Sequence, residues 1–93
     1  MNSVEGKIAL VSGGARGLGS MSAKKLAEAG AKVVITDLRE EEALATLDEI
    51  ASAGGEARFI KHDVALEEDW IAAVKFAADE FGGLDIVVNN AGV

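Results

Sequence analysis

The sequence contains no cysteine, no proline and no tyrosine among its 93 residues. Without cysteine, the chain forms neither a disulfide framework nor a cysteine-based metal site. Its apolar runs stay below the ~18 residues that a membrane-spanning helix needs, and residues 1–7 lack the basic region and apolar core of a signal peptide. These absences favour a cytoplasmic protein that makes no contact with a membrane.

Positive charge is also scarce, since 9 Lys and Arg residues stand against 16 Asp and Glu residues, for a formal net charge of -7. A nucleic-acid-binding surface needs clustered positive charge to neutralise phosphates. We therefore expect no nucleic-acid partner. Hydrophobic residues make up 49% of the chain, which argues against intrinsic disorder, and the length suits one small domain.

Short apolar runs alternate with longer amphipathic runs along the chain. They predict strands at residues 7–11, 32–36, 57–60 and 84–88, and helices at residues 18–29, 40–52 and 66–81. The order βαβαβαβ predicts an α/β fold with a four-stranded parallel sheet, right-handed crossovers and helices on both faces.

The helical period also predicts which side chains face the core. On the first helix we expect a face made of Leu18, Met21, Ser22, Leu26 and Ala29. On the third helix we expect a stripe made of Leu66, Trp70, Val74, Ala77 and Phe81. Phe76 lies about 120° from Trp70 on a mostly polar side, so we expect it to be exposed or at an interface.

A glycine-rich turn separates the first strand from the first helix. Gly13, Gly17 and Gly19 give the spacing Gly-x-x-x-Gly-x-Gly, whereas Ser22 occupies the third glycine of the strict Gly-x-Gly-x-x-Gly pattern. Such a turn lets a pyrophosphate approach the backbone and the free N–H groups of the helix, and Arg16 adds a charge there. The alternative is an ordinary glycine-rich turn.

An aspartate ends the second strand, 18 residues after Gly19. A carboxylate at this place accepts hydrogen bonds from the adenosine ribose of a dinucleotide. It also repels a 2′-phosphate, so Asp37 favours NAD over NADP. Arg16 and Arg39 lie near enough in sequence to reach a 2′-phosphate, and the alternative for Asp37 is a turn residue.

Polar residues follow the last two strands as well. Asp63 and Val64 suit an adenine ring, with an N-cap region as the equally weighted alternative. Residues 89–92, Asn-Asn-Ala-Gly, end the fourth strand, with backbone satisfaction in a turn as the alternative. Ligands of parallel sheets bind outside the carboxyl ends of the strands, and all these segments lie there. The lone His62 predicts neither a metal site nor a catalytic role.

Together these segments resemble the classical short-chain dehydrogenase/reductase family. The resemblance rests on residues 12–19 (Ser-Gly-Gly-Ala-Arg-Gly-Leu-Gly), Asp37, Asp63-Val64 and residues 89–92, in matching order and spacing, and it covers the whole chain. It implies a Rossmann-like sheet of strand order 3-2-1-4, with the first two helices on one face and the third on the other. Ser12 stands where the family more often has Thr, and either hydroxyl can bond to the fourth-strand loop.

The resemblance also implies roles for individual residues. Those facing the pyrophosphate and its ribose would be Gly13, Arg16, Gly17, Leu18 and Gly19. The adenosine ribose would be held by Asp37 and Leu38, and the adenine ring by Asp63 and Val64. The ribose nearer the nicotinamide would meet Asn90, Ala91 and Gly92.

One departure from the family concerns catalysis. The family's Ser, its Tyr-x-x-x-Lys pair and its helix Asn lie beyond the position that matches Val93. We therefore expect residues 1–93 to be the NAD-binding half of an oxidoreductase that moves hydride between NAD(H) and an alcohol or ketone. The chain alone would be inactive, and it would self-associate through its bare fourth strand or through the uncovered face of the sheet. The alternatives are a stand-alone Rossmann nucleotide-binding or self-assembling module and, less well matched, a methyltransferase-like domain.

Overall fold

The computed structural model describes residues 4–63 and 65–90. Strands and helices alternate in the predicted order: β1 (Ile8–Ser12), α1 (Gly17–Glu28), β2 (Lys32–Asp37), α2 (Glu40–Ser52), β3 (Glu56–Lys61), α3 (Glu67–Phe81) and β4 (Ile86–Asn89). The bounds of α2 are those predicted, and the other bounds differ only slightly. The prediction of an α/β fold is confirmed.

The four strands form one parallel sheet in the order β3-β2-β1-β4, which confirms the predicted topology. Leu10 in the middle of β1 stands beside Val34 of β2 and Val87 of β4. From β1 the chain adds β2 and β3 on one side of the sheet and then places β4 on the other side of β1, so the strand order reverses between β1 and β4. In sheets of this kind, the crevice at that reversal, outside the carboxyl ends of the strands, is where ligands bind.

The core has one layer on each face of the sheet. Helices α1 and α2 cover the first face, where the buried cluster includes Val11, Val33, Ile35, Ala23 and Ile50. Helix α3 covers the second face through a smaller cluster of Ile8, Val34 and Ala77. Strands covered on both sides need apolar residues at consecutive positions, which explains the uninterrupted apolar runs in β1 and β2.

The predicted buried face of α1 is wrong for Leu18 and Met21 and right for Leu26, which packs against the core. Leu18 is 73% exposed and Met21 is also exposed, whereas the buried residues of α1 are Gly19, Ser20, Ala23 and Ala27. The helix begins close against the glycine turn and the sheet, so only small side chains fit beneath it. The larger apolar side chains of its first turns point outward as a result.

The predicted stripe on α3 is also displaced. Ala77 is buried and Phe81 packs against the cluster on the second face of the sheet, as predicted, but the other buried residue of α3 is Ala73. Phe76 packs against the same cluster, contrary to the prediction that it is exposed or at an interface. Val74, expected in the core, is exposed, and Trp70 is only half-buried. Small residues again mark the closest approach of the helix to the sheet. Among the described residues, no helix is both long and apolar enough to cross a membrane.

Candidate functional site

The turn between β1 and α1 is anchored to the end of β2 through its backbone. The N–H groups of Gly13 and Gly14 both donate to the carbonyl oxygen of Thr36, at 2.8 and 3.2 Å. Gly13 takes up a φ of 70°, in the left-handed region that favours glycine. The turn therefore lies at the carboxyl edge of the sheet in a defined conformation.

Gly19 is where α1 comes closest to this turn. A Cβ atom at this position would lie 1.9 Å from the carbonyl oxygen of Gly13 and 2.7 Å from its carbon. Gly17, by contrast, has open space around it, and its φ of +62° is what favours glycine. The two glycines thus meet different demands, a close backbone approach and a backbone conformation.

The N-terminus of α1 carries no side-chain cap. Arg16 occupies the N-cap position and makes no capping hydrogen bond. The first N–H groups of a helix have no intrahelical acceptor, and they carry partial positive charge. Arg16 Nε lies 3.7 Å from Glu42 Oε2, with both side chains exposed. This end of α1 therefore offers hydrogen-bond donors suited to an anion.

Asp37 joins the turn to the end of β2. Its side chain is 5% exposed, and its Oδ2 atom accepts a hydrogen bond from the N–H of Ala15 at 3.2 Å. Its Oδ1 atom accepts one from the N–H of Arg39 at 3.0 Å and lies 3.4 Å from the guanidinium Nη1 of Arg39. Leu38 is exposed beside it. A buried carboxylate thus lies directly against the glycine turn.

Asp63 makes local hydrogen bonds before α3. Its Oδ1 atom accepts from the N–H of Ala65 at 2.9 Å, and its own N–H donates to Asp69 Oδ2 at 2.8 Å. Asp63 therefore makes hydrogen bonds within the loop before α3, in the region of the N-cap alternative, although the N-cap residue of α3 is Leu66. The residue predicted to pair with it, Val64, lies outside the described residues.

The end of β4 is tied to β1. Ser12 Oγ donates to Asn89 Oδ1 at 2.8 Å, and the N–H of Asn90 donates to the carbonyl oxygen of Ser12 at 3.1 Å. The expected bond from the Ser12 hydroxyl to the fourth-strand loop is thus present. The Nδ2 atom of Asn90 is buried and has no partner among the described residues. Ala91 and Gly92 lie outside those residues.

Sequence reasoning missed two hydroxyls that support the turn. Thr46 on α2 and Ser20 on α1 are both buried, and Thr46 Oγ1 donates to the carbonyl oxygen of Ala15 at 3.1 Å. The available signal was a polar residue between Ala43 and Ile50, on the apolar stripe of α2. A hydroxyl among core positions has to find a hydrogen-bond partner.

His62 lies beneath this edge of the sheet, between β2 and α3. It is 2% exposed, with its Nδ1 atom 2.8 Å from Thr36 Oγ1 and its ring edge-to-face with Trp70 at 4.3 Å. The Nε2 atom has no hydrogen-bond partner among the described residues. Burial lowers the pKa of His62 below its ordinary value, and the charges of Asp69 and Asp63 oppose that shift. The ring is therefore uncharged at neutral pH.

Acidification is expected to weaken the fold through His62. A pKa lowered by folding means that the neutral ring stabilises the folded state above the unfolded pKa of 6.5. That contribution is lost as the pH falls through the folded-state pKa. Urea unfolding between about pH 7.5 and about pH 5 measures the effect, with His62→Asn as the non-titrating comparison. The wild-type chain should lose more stability than the variant, and parallel pH profiles would contradict this account.

No group of three or more metal-ligating side chains occurs among residues 4–63 and 65–90. The carboxyl edge of the sheet presents hydrogen-bond donors at the N-terminus of α1 and carboxylates at the end of β2 and after β3. This arrangement suits an elongated ligand that carries phosphates at one point and hydroxyl groups at another.

Known proteins share both the sequence and this architecture. A 2,5-dichloro-2,5-cyclohexadiene-1,4-diol dehydrogenase, LinX, from Sphingobium indicum is 50% identical over 92 residues, which are 99% of this chain and 37% of that protein. A 3-alpha-(or 20-beta)-hydroxysteroid dehydrogenase from Mycobacterium tuberculosis is 48% identical over 88 residues, 95% of this chain and 33% of that protein. The chain thus spans about a third of these relatives.

Solved structures and a family model agree with these similarities. A hydroxysteroid dehydrogenase from Escherichia coli superposes with a TM-score of 0.93 at 38% identity, over 97% of this chain and 38% of that one. A dehydrogenase/reductase from Sinorhizobium meliloti gives a TM-score of 0.93 at 43% identity, over 98% and 36%. The family model for short chain dehydrogenases matches residues 7–93. The chain therefore belongs to the short-chain dehydrogenase family.

Proposed function

We propose that this chain binds a nicotinamide dinucleotide, NAD in preference to NADP. The observation that carries the proposal is the buried Asp37 carboxylate, held against Ala15 of the glycine turn at the carboxyl end of β2. A carboxylate there is suited to accept hydrogen bonds from the adenosine ribose, while the open N–H groups of α1 suit the pyrophosphate. Membership of the short-chain dehydrogenase family supports this assignment.

The proposed contacts follow the order of the segments along the edge. The pyrophosphate and its neighbouring ribose would contact Gly13, Arg16, Gly17, Leu18 and Gly19. The adenosine half would contact Asp37, Leu38, Asp63 and Val64. The ribose on the nicotinamide side would contact Asn90, Ala91 and Gly92. When bound, the nicotinamide ring supplies the hydride acceptor or donor.

The preference for NAD rests on charge. Asp37 would repel the 2′-phosphate of NADP. The guanidinium of Arg39 lies 3.4 Å from the carboxylate of Asp37, and Arg16 lies 3.7 Å from that of Glu42. Since both arginines already face a carboxylate, neither offers an uncompensated charge to a 2′-phosphate.

The proposed reaction is hydride transfer between NAD(H) and an alcohol or ketone, carried out by a protein of which residues 1–93 form the nucleotide-binding half. The names of the relatives, dehydrogenases of a cyclic diol and of hydroxysteroids, support an alcohol-type substrate. The chain contains no tyrosine, so it lacks the proton donor of the Tyr-x-x-x-Lys pair. We propose that the chain by itself does not catalyse the reaction. We also propose that the protein is cytoplasmic.

Calorimetric titration of the purified chain with NAD, NADP, AMP and S-adenosylmethionine tests the proposal. We expect NAD to bind at least about tenfold more tightly than NADP, and S-adenosylmethionine not to bind. Binding of S-adenosylmethionine alone would overturn it in favour of a methyltransferase-like domain. Measurable alcohol oxidation by this chain would contradict the proposed inactivity.

The chain is also expected to self-associate through β4. This strand pairs with β1 on one side, no other described strand pairs with its second side, and Val87 is 55% exposed. Bare strand edges tend to pair with another chain. Light scattering at tens of micromolar should give a mass above the monomer, and Val87→Lys should lower it. A monomeric mass for the wild-type chain would rule this out.

A further inference from the structure

A buried hydroxyl on α2 contacts the glycine turn at Ala15, the residue whose N–H donates to Asp37. Thr46 is 3% exposed and lies on the stripe of α2 that also buries Ala43 and Ile50. Its Oγ1 atom lies 3.1 Å from the carbonyl oxygen of Ala15 and 3.1 Å from Ser20 Oγ. A side chain on the buried face of α2 thus contacts the backbone of the turn directly.

Counting hydrogens shows how this contact is satisfied. Each hydroxyl has one proton to donate. If Ser20 donates to Thr46, and Thr46 donates to the Ala15 carbonyl, both protons are used. The carbonyl of Glu42, at 3.3 Å, is a second acceptor within α2 itself. No backbone N–H of the described residues donates to the Ala15 carbonyl, so Thr46 is the group that satisfies it.

The contact restricts the orientation of two successive peptide groups. The N–H of Ala15 is held by Asp37 Oδ2 and its carbonyl by Thr46 Oγ1. In a trans peptide the carbonyl and the following N–H point in opposite directions, and no cis peptide occurs among the described residues. Holding the Ala15 carbonyl toward α2 therefore turns the N–H of Arg16 away from α2.

We infer that Thr46 is a positioning residue for the phosphate-binding turn, acting through the Ala15 carbonyl and supported by Ser20. This inference rests on the proposed function, because it assigns the turn to the pyrophosphate of a dinucleotide. Thr46 does not touch the ligand. It holds the Ala15–Arg16 peptide so that the Arg16 N–H stays on the side opposite α2, ready for a phosphate oxygen.

Thr46→Val and Thr46→Ser form a matched pair, since the first removes the hydroxyl at nearly constant volume and the second retains it. We expect Thr46→Val to weaken NAD binding about five- to tenfold and to change adenosine binding less than about twofold. Thr46→Ser should restore wild-type affinity for NAD. Ser20→Ala should show a smaller loss than Thr46→Val, because the bond from Thr46 to Ala15 remains.

Amide hydrogen exchange of the ligand-free chain provides a second measurement. Exchange at Ala15, whose N–H is bonded to Asp37, should be faster in Thr46→Val than in Thr46→Ser, with exchange in β2 unchanged. Equal losses for NAD and adenosine, or unchanged exchange in the turn, would overturn the inference while leaving the proposed function intact. Failure of the wild-type chain to bind NAD would overturn the proposed function, and with it the claim about affinity.

Discussion

Replacement of Gly19 by alanine is expected to abolish dinucleotide binding and to destabilise the chain by about 3 kcal/mol, the upper part of the range for overpacking. The new Cβ would lie 1.9 Å from the carbonyl oxygen of Gly13. Backbone atoms cannot yield as a flexible side chain does, so α1 and the turn must separate. The N–H groups of α1 would then move away from the carboxylate of Asp37.

Gly54→Ala is the matched control for this variant. Gly54 follows α2 with a φ of +90°, and an added Cβ there meets nothing within 4 Å. The substitution therefore costs only backbone strain, about 1 kcal/mol, and should leave NAD affinity unchanged. Urea unfolding and calorimetric titration of both variants give the comparison. A Gly19→Ala chain that binds NAD within about twofold of wild type would refute the role of the close approach.

Asp37→Ala is expected to show the second largest effect, a loss of NAD affinity of about 30-fold or more and a loss of the preference over NADP. Hydrogen bonds to charged groups are worth about 1.5–3 kcal/mol each, and the proposed ribose contact depends on this carboxylate. The variant also leaves the N–H groups of Ala15 and Arg39 without their acceptor. With Asp37 removed, Arg39 is freed to attract a 2′-phosphate.

Asp48→Ala controls for the change in net charge, because Asp48 is an exposed residue of α2. It removes the same unit of charge without touching the turn, so its ratio of NAD to NADP affinity should match that of the wild-type chain. Asp37→Asn separates shape from charge, since the amide oxygen still accepts a hydrogen bond. An unchanged ratio of NAD to NADP affinity in Asp37→Ala would show that selectivity lies elsewhere.

Much of the fold could be predicted from local pattern. Strand and helix periods differ strongly, so the alternation of elements and the bounds of α2 followed from the residues themselves. The strand order, by contrast, came from the family resemblance carried by the glycine turn and residues 89–92. The candidate site could be located because the carboxyl ends of parallel strands lie at one edge. The contacts of its residues with a cofactor remain predictions.

The faces of the helices were predicted less well than their bounds. Periodicity identifies an apolar stripe, and it placed Leu18 and Met21 of α1 and Val74 of α3 on the side facing the core. In the structure these three side chains are exposed. What placed α1 was the close approach of Gly19 to Gly13, which only the folded backbone reveals. Phe76 packs against the core because the small residues Ala73 and Ala77 let α3 lie close to the sheet beside it.

By itself, then, the sequence determined the order of the elements, the family and the edge where the glycine turn and Asp37 meet. The tertiary structure decided which groups satisfy one another at that edge. The carboxylate of Asp37 accepts a hydrogen bond from the N–H of Ala15. Thr46 donates to the carbonyl of Ala15 although it lies 31 residues away from Ala15 along the chain. Hydrogen bonds between residues so far apart depend on helix packing to within an ångström, which no periodicity in a sequence specifies.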